Sequence, residues 1–413
     1  MIEREADGSS VEMSRTTAFP PALEGVKILD LSQVGAGPYC TTLLGDMGAD
    51  VIKVEPIGGE PTRTIDNFFG PKESAYYYGI NRSKRTVALD IKADAGIKII
   101  SNLIKWADVF VIGMRPNTVA RLGLAYEDVA AINPMIIYLS ITAFGESGPR
   151  IDEPGMDIVA QALSGVMALT GDPDRPPVKC GPSITDWAAS FLGSFAVSAA
   201  LRARDRDGVG QKLSVSLLDG AVALLPQFVS SYKATGVAPR RSGSGHPMVV
   251  PYQVFSTADG NIIVACLDNR FWPRLCRSID RPDLIDDPRY SENEERVRRR
   301  DEVIGIVQNA LLCHPTSTWI ERFTKESMAH APVLELEEAL AEPQILHNEM
   351  ILTLDHPKYG SYQVANNPIR MSKTPPRPWG YSPGVGQHTD EVLLSLGMQV
   401  EELAELRRRE IIE

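Results

Sequence analysis

Along the first half of the chain, short apolar runs alternate with stretches whose apolar residues recur at helical spacing. Val26-Lys-Ile-Leu-Asp-Leu31 reads as a strand, Ala36 to Gly48 as a helix ended by glycine, and Asp50-Val-Ile-Lys-Val-Glu55 as a second strand. The rhythm continues with a strand at Arg85–Asp90, a helix at Asp94–Trp106, a strand at Asp108–Ile112, a short helix at Pro116–Leu122 and a strand at Met135–Thr142. These strands are near-continuous apolar runs and do not alternate with polar residues, which predicts a parallel sheet covered by helices on both faces. A run of small and apolar residues after Asp186 predicts a helix to about Arg204, followed by a strand at Gln211–Ser216 and a helix at Leu217–Tyr232.

The pattern breaks over Ala234 to Pro247, where Gly, Ser, Pro and Arg dominate, and this marks an internal boundary. Beyond it, Tyr252–Ser256 and Asn261–Ala265 flank Asp259-Gly260 as a hairpin. Mostly helical sequence follows to about His330, with the charged run Glu292 to Glu302 as a solvated helix face. The tail from Lys358 ends in a helix at Asp390–Leu396. The expected organisation is a tail at 1–21, the first part of a large α/β domain at 22–232, a glycine-rich linker at 233–251, a small domain at 252–330 and a return to the large domain over 331–413. The fold class is α/β, a doubly wound, Rossmann-like parallel sheet with a smaller α+β domain.

A length of 413 residues agrees with two cores. No apolar run approaches the roughly 20 residues needed to cross a bilayer, and no membrane partner is expected. The first twenty residues lack the apolar centre of a signal peptide. Five scattered cysteines without CxxC or a nearby His cluster predict reduced thiols, no metal and a cytoplasmic location. A net charge of −11 argues against a nucleic-acid partner.

Candidate chemistry begins with two glycines. Gly35 and Gly37 after the first strand, with an acid ending the second, imitate a dinucleotide-binding fingerprint, but Cys40 stands where the third glycine belongs. Asp186, in Pro182-Ser-Ile-Thr-Asp-Trp, follows a polar turn and opens a helix. By type and position it is either an N-cap or a functional carboxylate.

Leu29-Asp-Leu-Ser-Gln-Val-Gly-Ala-Gly-Pro38, Leu44-Gly-Asp-Met-Gly-Ala-Asp-Val-Ile-Lys-Val-Glu-Pro56, Asn81-Arg-Ser-Lys-Arg-Thr-Val-Ala-Leu-Asp90 and Arg115-Pro-Asn-Thr-Val-Ala-Arg-Leu-Gly123 together resemble the class III CoA-transferases, a group that includes the 2-methylacyl-CoA racemases. The likeness continues through Phe144-Gly-Glu-Ser-Gly-Pro149, Gly155 to Gly165, Gly208-Val-Gly-Gln211 and Gly386-Gln-His-Thr389, so it runs from about residue 22 to the end.

The resemblance implies that Asp186 is the catalytic aspartate, carrying the acyl group as a mixed anhydride and then CoA as a thioester, with Glu146 as a secondary catalytic residue. Coenzyme A is implied as a co-substrate, with no permanently bound cofactor, beside acyl-CoA and carboxylic acid substrates. Positions matching the family's CoA contacts are Val34 and Gly35, Leu89, Asp90, Ile91 and Lys92, Gly113, Met114 and Arg115, Arg121, and Thr142, Ala143, Phe144 and Gly145. The loop bearing Gly243, Gly245 and His246 matches one that closes over the intermediate, and the family's partner is a second copy of the chain in an interlocked homodimer. Two departures stand out: Pro56 replaces an arginine of several relatives, and Gly35 replaces a glutamine of formyl-CoA transferase. The racemase branch carries histidine before an aspartate, whereas this chain has Gly155-Met156-Asp157. Methionine cannot take a proton, so the transferase pattern fits better, with an α-proton enzyme or a non-catalytic acyl-CoA-binding relative as alternatives.

Overall fold

A computed structural model describes residues 19–413. The expected tail at 1–21 lies outside the described residues up to residue 18. The chain forms two compact units. The first takes the residues up to Pro154, Asp186–Leu217 and Leu352–Glu413, and the second takes Gly155–Thr185 and Leu218–Ile351. The second unit therefore holds more chain than residues 252–330 alone, and the first regains the chain at Leu352.

The first unit is built on strands β1 (Lys27–Leu31), β2 (Asp50–Glu55), β3 (Arg85–Ala88), β4 (Val109–Ile112), β5 (Ile137–Thr142) and β6 (Gln211–Ser216). Their order is β3-β2-β1-β4-β5-β6 with every neighbour parallel, the doubly wound arrangement expected from the apolar runs. Helices α1 (Ala36–Asp46), α2 (Ala75–Ile80), α3 (Asp94–Trp106), α4 (Pro116–Arg121) and α5 (Tyr126–Ile132) connect them. Leu29, Ile52, Val87, Ile100, Leu103 and Phe110 are all within 1% of full burial in one core. Each such side chain contributes about 1.5–3 kcal/mol by leaving water. The order reverses between β1 and β4, which opens a crevice at the carboxyl ends of these strands.

Buried charge accompanies this apolar core. Asp46 meets Arg82 at 2.7 Å, Glu55 meets Arg63 at 2.7 Å and Asp30 meets Lys84 at 3.4 Å, with all six side chains shut off from solvent. Burial alone would raise the Asp30 carboxyl, but Lys84, Lys53 and the hydroxyls of Ser32 and Thr41 bring it below its ordinary value. Burial brings Lys84 down to about 8 despite the opposing pull of Asp30.

Several elements differ from the sequence expectation. β3 stops at Ala88, because Leu89 bridges to Ile412 and the Asp90 amide donates to the Ile411 carbonyl at 2.9 Å. The helix expected over Leu217–Tyr232 is two, α9 (Leu217–Ala223) and α10 (Pro226–Thr235), numbered after α6 (Asp157–Ser164), α7 (Val166–Leu169) and α8 (Ile184–Asp207). Pro226 has no amide hydrogen to continue α9. A hairpin of Ile351–His356 with Gly360–Ala365 and a helix at Val400–Arg408 had no counterpart in the sequence reading. The helix α8 is long and apolar enough, by length and composition, to cross a bilayer, which corrects the expectation that no segment approaches that length. Its small residues serve close packing instead: a Cβ added at Gly193 would lie 3.1 Å from Cys40 Sγ and 3.3 Å from Leu139.

In the second unit β7 (Tyr252–Ser256), β8 (Asn261–Ala265) and β9 (Ala329–Pro332) form an antiparallel sheet in that order. The helices Phe271–Ser278, Asn293–Arg298, Arg300–Leu311 and Thr316–Lys325 share with it a core that includes Phe255, Trp272, Val307, Trp319 and Phe323.

Candidate active site

The helix α8 begins at Ile184, so Asp186 is its third residue and lies in the first turn. This corrects the N-cap alternative, because the helix starts two residues earlier than the apolar run suggests. Asp186 is 9% exposed, a degree of burial at which a carboxylate needs specific company. That company comes from the turn between β1 and α1. A Cβ added at Gly35 would stand 2.8 Å from Asp186 Oδ2 and 3.1 Å from its Cγ, so the carboxylate lies directly over the Gly35 backbone. The same point is 3.1 Å from the Tyr76 hydroxyl oxygen. Gly35 is the N-cap of α1, which puts the Asp186 carboxylate at the positive end of that helix as well as in the first turn of its own.

The two helix starts are tied together. The Ser190 hydroxyl sits 2.7 Å from the Ala36 carbonyl and 2.8 Å from that of Asp186. Tyr39 on α1 packs edge-on against Trp187 and Phe191 on α8, with ring centres 5.2 and 6.0 Å apart. Gly37, the other half of the apparent fingerprint, has a packing reason of its own: a Cβ there would overlap Ser32.

The structure arranges the expected CoA positions in several groups. Leu89, Asp90, Ile91, Lys92 and Met114 line one cleft of about 510 Å³ at the carboxyl ends of β1 to β4. Leu31, Gln33, Val54, Glu55, Pro56, Ile57, Thr118, Leu122 and Glu410 complete its wall. Apart from Pro56, singled out as a departure from the family, the sequence reading missed these, and Glu410 in particular arrives from the far end of the chain. Val34, Gly35, Gly113, Arg115, Arg121 and Thr142, Ala143, Phe144 and Gly145 lie outside that wall. Arg115 precedes α4 with an exposed side chain and donates to the Asp152 carbonyl at 3.4 Å, and Arg121, in the last turn of α4, is exposed too. Thr142 Oγ1 accepts the Gly145 amide at 2.9 Å, which shapes the turn after β5.

Glu146 on that turn forms an ion pair with Lys212 of β6 at 2.8 Å. Asp157 was passed over as a site residue by the sequence reading. Its carboxylate accepts the Thr185 amide at 2.9 Å, the Thr185 hydroxyl at 2.8 Å and the Gln161 side-chain amide at 2.7 Å. It thereby anchors the residue before Asp186. The signal was legible: an acid beside Met156 at the start of a helix, four residues before Gln161, the spacing at which side chains meet.

Gly243, Gly245 and His246 belong to the second unit. The Gly243 amide donates to the Gly171 carbonyl at 3.1 Å and the Gly245 amide to the Ser242 carbonyl at 2.9 Å, while Arg300 holds the His246 and Pro247 carbonyls at 3.1 and 2.8 Å. The loop is thus held by hydrogen bonds throughout, and these two amides are already engaged. No group of three or more Cys, His, Asp or Glu is placed to hold a metal among the described residues.

Comparison with known proteins places this geometry. Residues 23–389 match the model of CoA-transferase family III. The chain is 39% identical over 372 residues to the human succinyl-CoA:glutarate CoA-transferase, covering 90% of this chain and 85% of that protein. It is 35% identical over 364 residues to the acetyl-CoA:oxalate CoA-transferase of Acetobacter aceti, covering 87% and 92%. The crystal structure of a CAIB/BAIF family protein from Brucella suis superposes with a TM-score of 0.83 at 30% identity, covering 92% of this chain and all of that one. The expected family and α/β fold agree with these matches, and the chain, a CoA-transferase, belongs to CoA-transferase family III.

Proposed function

We propose that this transferase moves CoA from an acyl-CoA donor to a dicarboxylic acid through covalent intermediates on Asp186. The observation that carries the reading is the Asp186 carboxylate, 9% exposed and set against the Gly35 backbone at the start of α1. The positive ends of two helices suit a nucleophilic carboxylate, and in a mostly buried site water that would hydrolyse an anhydride has little access.

In the proposed cycle an Asp186 oxygen attacks the donor thioester, and collapse of the tetrahedral oxyanion expels CoA thiolate to leave a mixed anhydride. The thiolate attacks the Asp186 acyl carbon, forming an aspartyl-CoA thioester and releasing the donor acid. The acceptor carboxylate then expels the thiolate to form a second anhydride. Attack of the thiolate on the acceptor carbonyl gives the new thioester and restores the Asp186 carboxylate. Each step forms one acyl bond and breaks another, with no proton gained or lost. Backbone donors at the start of α1 suit the oxyanions. Glu146, paired with Lys212, stays a secondary candidate. A dicarboxylic acceptor is favoured because the acids named for both relatives, glutarate and oxalate, are of that class. The test is to incubate the protein with acyl-CoA and hydroxylamine or borohydride and to map the product by mass spectrometry. Modification at Asp186 is expected, and product formation with no modification there would overturn the reading.

The crevice cleft is assigned to the nucleotide end of CoA, at the switch in strand order where doubly wound sheets take such ligands. Thr118 lines it, and Thr118→Trp, which fills part of the volume, is expected to weaken CoA binding about tenfold or more by calorimetry, a loss of about 1.4 kcal/mol.

A second copy of the chain is the proposed partner. On α8, Phe191 is 46% exposed and Phe195, one turn on, is 73% exposed, a costly face for an isolated chain. Phe195→Asp is expected to shift sedimentation from dimer to monomer, and a wild-type monomer would remove the assignment.

A further inference from the structure

Val34 has a φ of +70°, in the left-handed region that a β-branched residue enters only when its surroundings impose it. Its side chain is 44% exposed, so packing of that side chain does not impose the conformation. The backbone leading into it is gripped by charge. The Val34 amide donates to Glu60 Oε2 at 3.0 Å, and Lys53 Nζ donates to the Ser32 carbonyl at 2.8 Å. Lys53 and Glu60 are themselves 3.6 Å apart with both side chains fully buried. Burial alone would lower Lys53, but Glu60, Asp30 and Glu55 hold it above its ordinary value.

We infer that the buried Lys53–Glu60 pair is a positioning device for the reaction: it fixes the Ser32 carbonyl and the Val34 amide in the turn between β1 and α1, holds Val34 in the left-handed conformation and so seats Gly35 against the Asp186 carboxylate. The inference deepens the reading of Asp186 as acyl carrier and rests on it. A purely structural ion pair is a poor use of two buried charges, because well-packed apolar residues of similar volume stabilise as much or more. Here the two charges hold a backbone carbonyl and a backbone amide two residues apart, which apolar side chains cannot do.

The test is a double-mutant cycle on the full chain with Glu60→Ala and Val34→Gly. It reads the rate of acyl-CoA-dependent labelling at Asp186, kcat, the CoA dissociation constant and the melting temperature. Glu60→Ala is expected to lower labelling and kcat at least 100-fold while the CoA dissociation constant changes less than threefold. Adding Val34→Gly is expected to recover at least tenfold, because glycine takes a positive φ without an anchor. A structural role alone gives no such recovery. The inference is overturned if Glu60→Ala labels at the wild-type rate, or if Val34→Gly lowers its activity further. If Glu60→Ala does not fold, Glu60→Gln, which keeps an acceptor for the Val34 amide, takes its place with a smaller loss, and the sign of the Val34→Gly effect on it decides. A wild-type protein that turns over without label at Asp186 would instead defeat the acyl-carrier reading, and the kcat cycle would still test the clamp.

Discussion

Asp186→Ala is expected to abolish transfer, with kcat lower by about 10⁴-fold or more, equivalent to roughly 5.5 kcal/mol of transition-state stabilisation. The size follows from the role: without the carboxylate no acyl bond to the protein can form, and direct attack by the acceptor on the thioester has no preorganised route. CoA binding should change little, and retention of the fold is the control for this variant, in which the main-chain carbonyl that accepts from Ser190 is kept. Asp186→Glu tests geometry separately from chemistry. It keeps the carboxylate but pushes it toward Gly35, where there is no room for another methylene, and a loss of about 100-fold is expected. Initial-rate assays with acyl-CoA and a panel of dicarboxylates measure both. Wild-type-like turnover in Asp186→Ala would end the covalent account.

Gly35→Ala carries the second large effect. The added methyl would stand 2.8 Å from Asp186 Oδ2, closer than carbon and oxygen tolerate, so the carboxylate must move or the turn must open. Gly35 has a φ of −109°, so alanine is not strained by the backbone there, and the cost is steric. A displacement of about 1 Å at a reacting carboxylate costs on the order of 100-fold in rate. The expected result is therefore a fall in kcat of that size with the acyl-CoA dissociation constant nearly unchanged. Gly37→Ala is a useful contrast: it collides with Ser32, a residue bonded into the Asp30 network, and should lower the melting temperature as well as the rate. If Gly35→Ala kept full activity, the contact between this backbone and Asp186 would have no catalytic meaning.

The sequence was most legible where local pattern and tertiary environment ask for the same residue. Strands β1, β2, β4 and β5 are apolar because both faces are buried, so their runs announced themselves to within two residues. Asp186 was legible as an isolated acid before an apolar run, but its place in the first turn depended on where Ile184 begins the helix, a start that Asp157 ties down from outside that segment through Thr185. Lys53 was a visible anomaly, a charge in an otherwise apolar strand, yet its partner Glu60 lies beyond two glycines with no periodicity to connect them. The cleft was read in part: Leu89 to Lys92 came from motif position, whereas Glu410 joins only because the C-terminal segment pairs back beside Leu89.

By itself the amino-acid sequence determined the alternation of strands and helices and the parallel doubly wound sheet, because those depend on apolar periodicity and on residue order, while Asp186 was singled out by the resemblance to a family. Tertiary structure alone decided that Gly35 faces Asp186, that Lys53 and Glu60 grip one turn, and that Gly243 and Gly245 spend their amides on neighbours. The physical reason is range. Periodicity records which face of an element is buried, a property each segment carries alone, whereas an ångström-scale contact between residues 151 positions apart exists only after the sheet has brought α1 and α8 together.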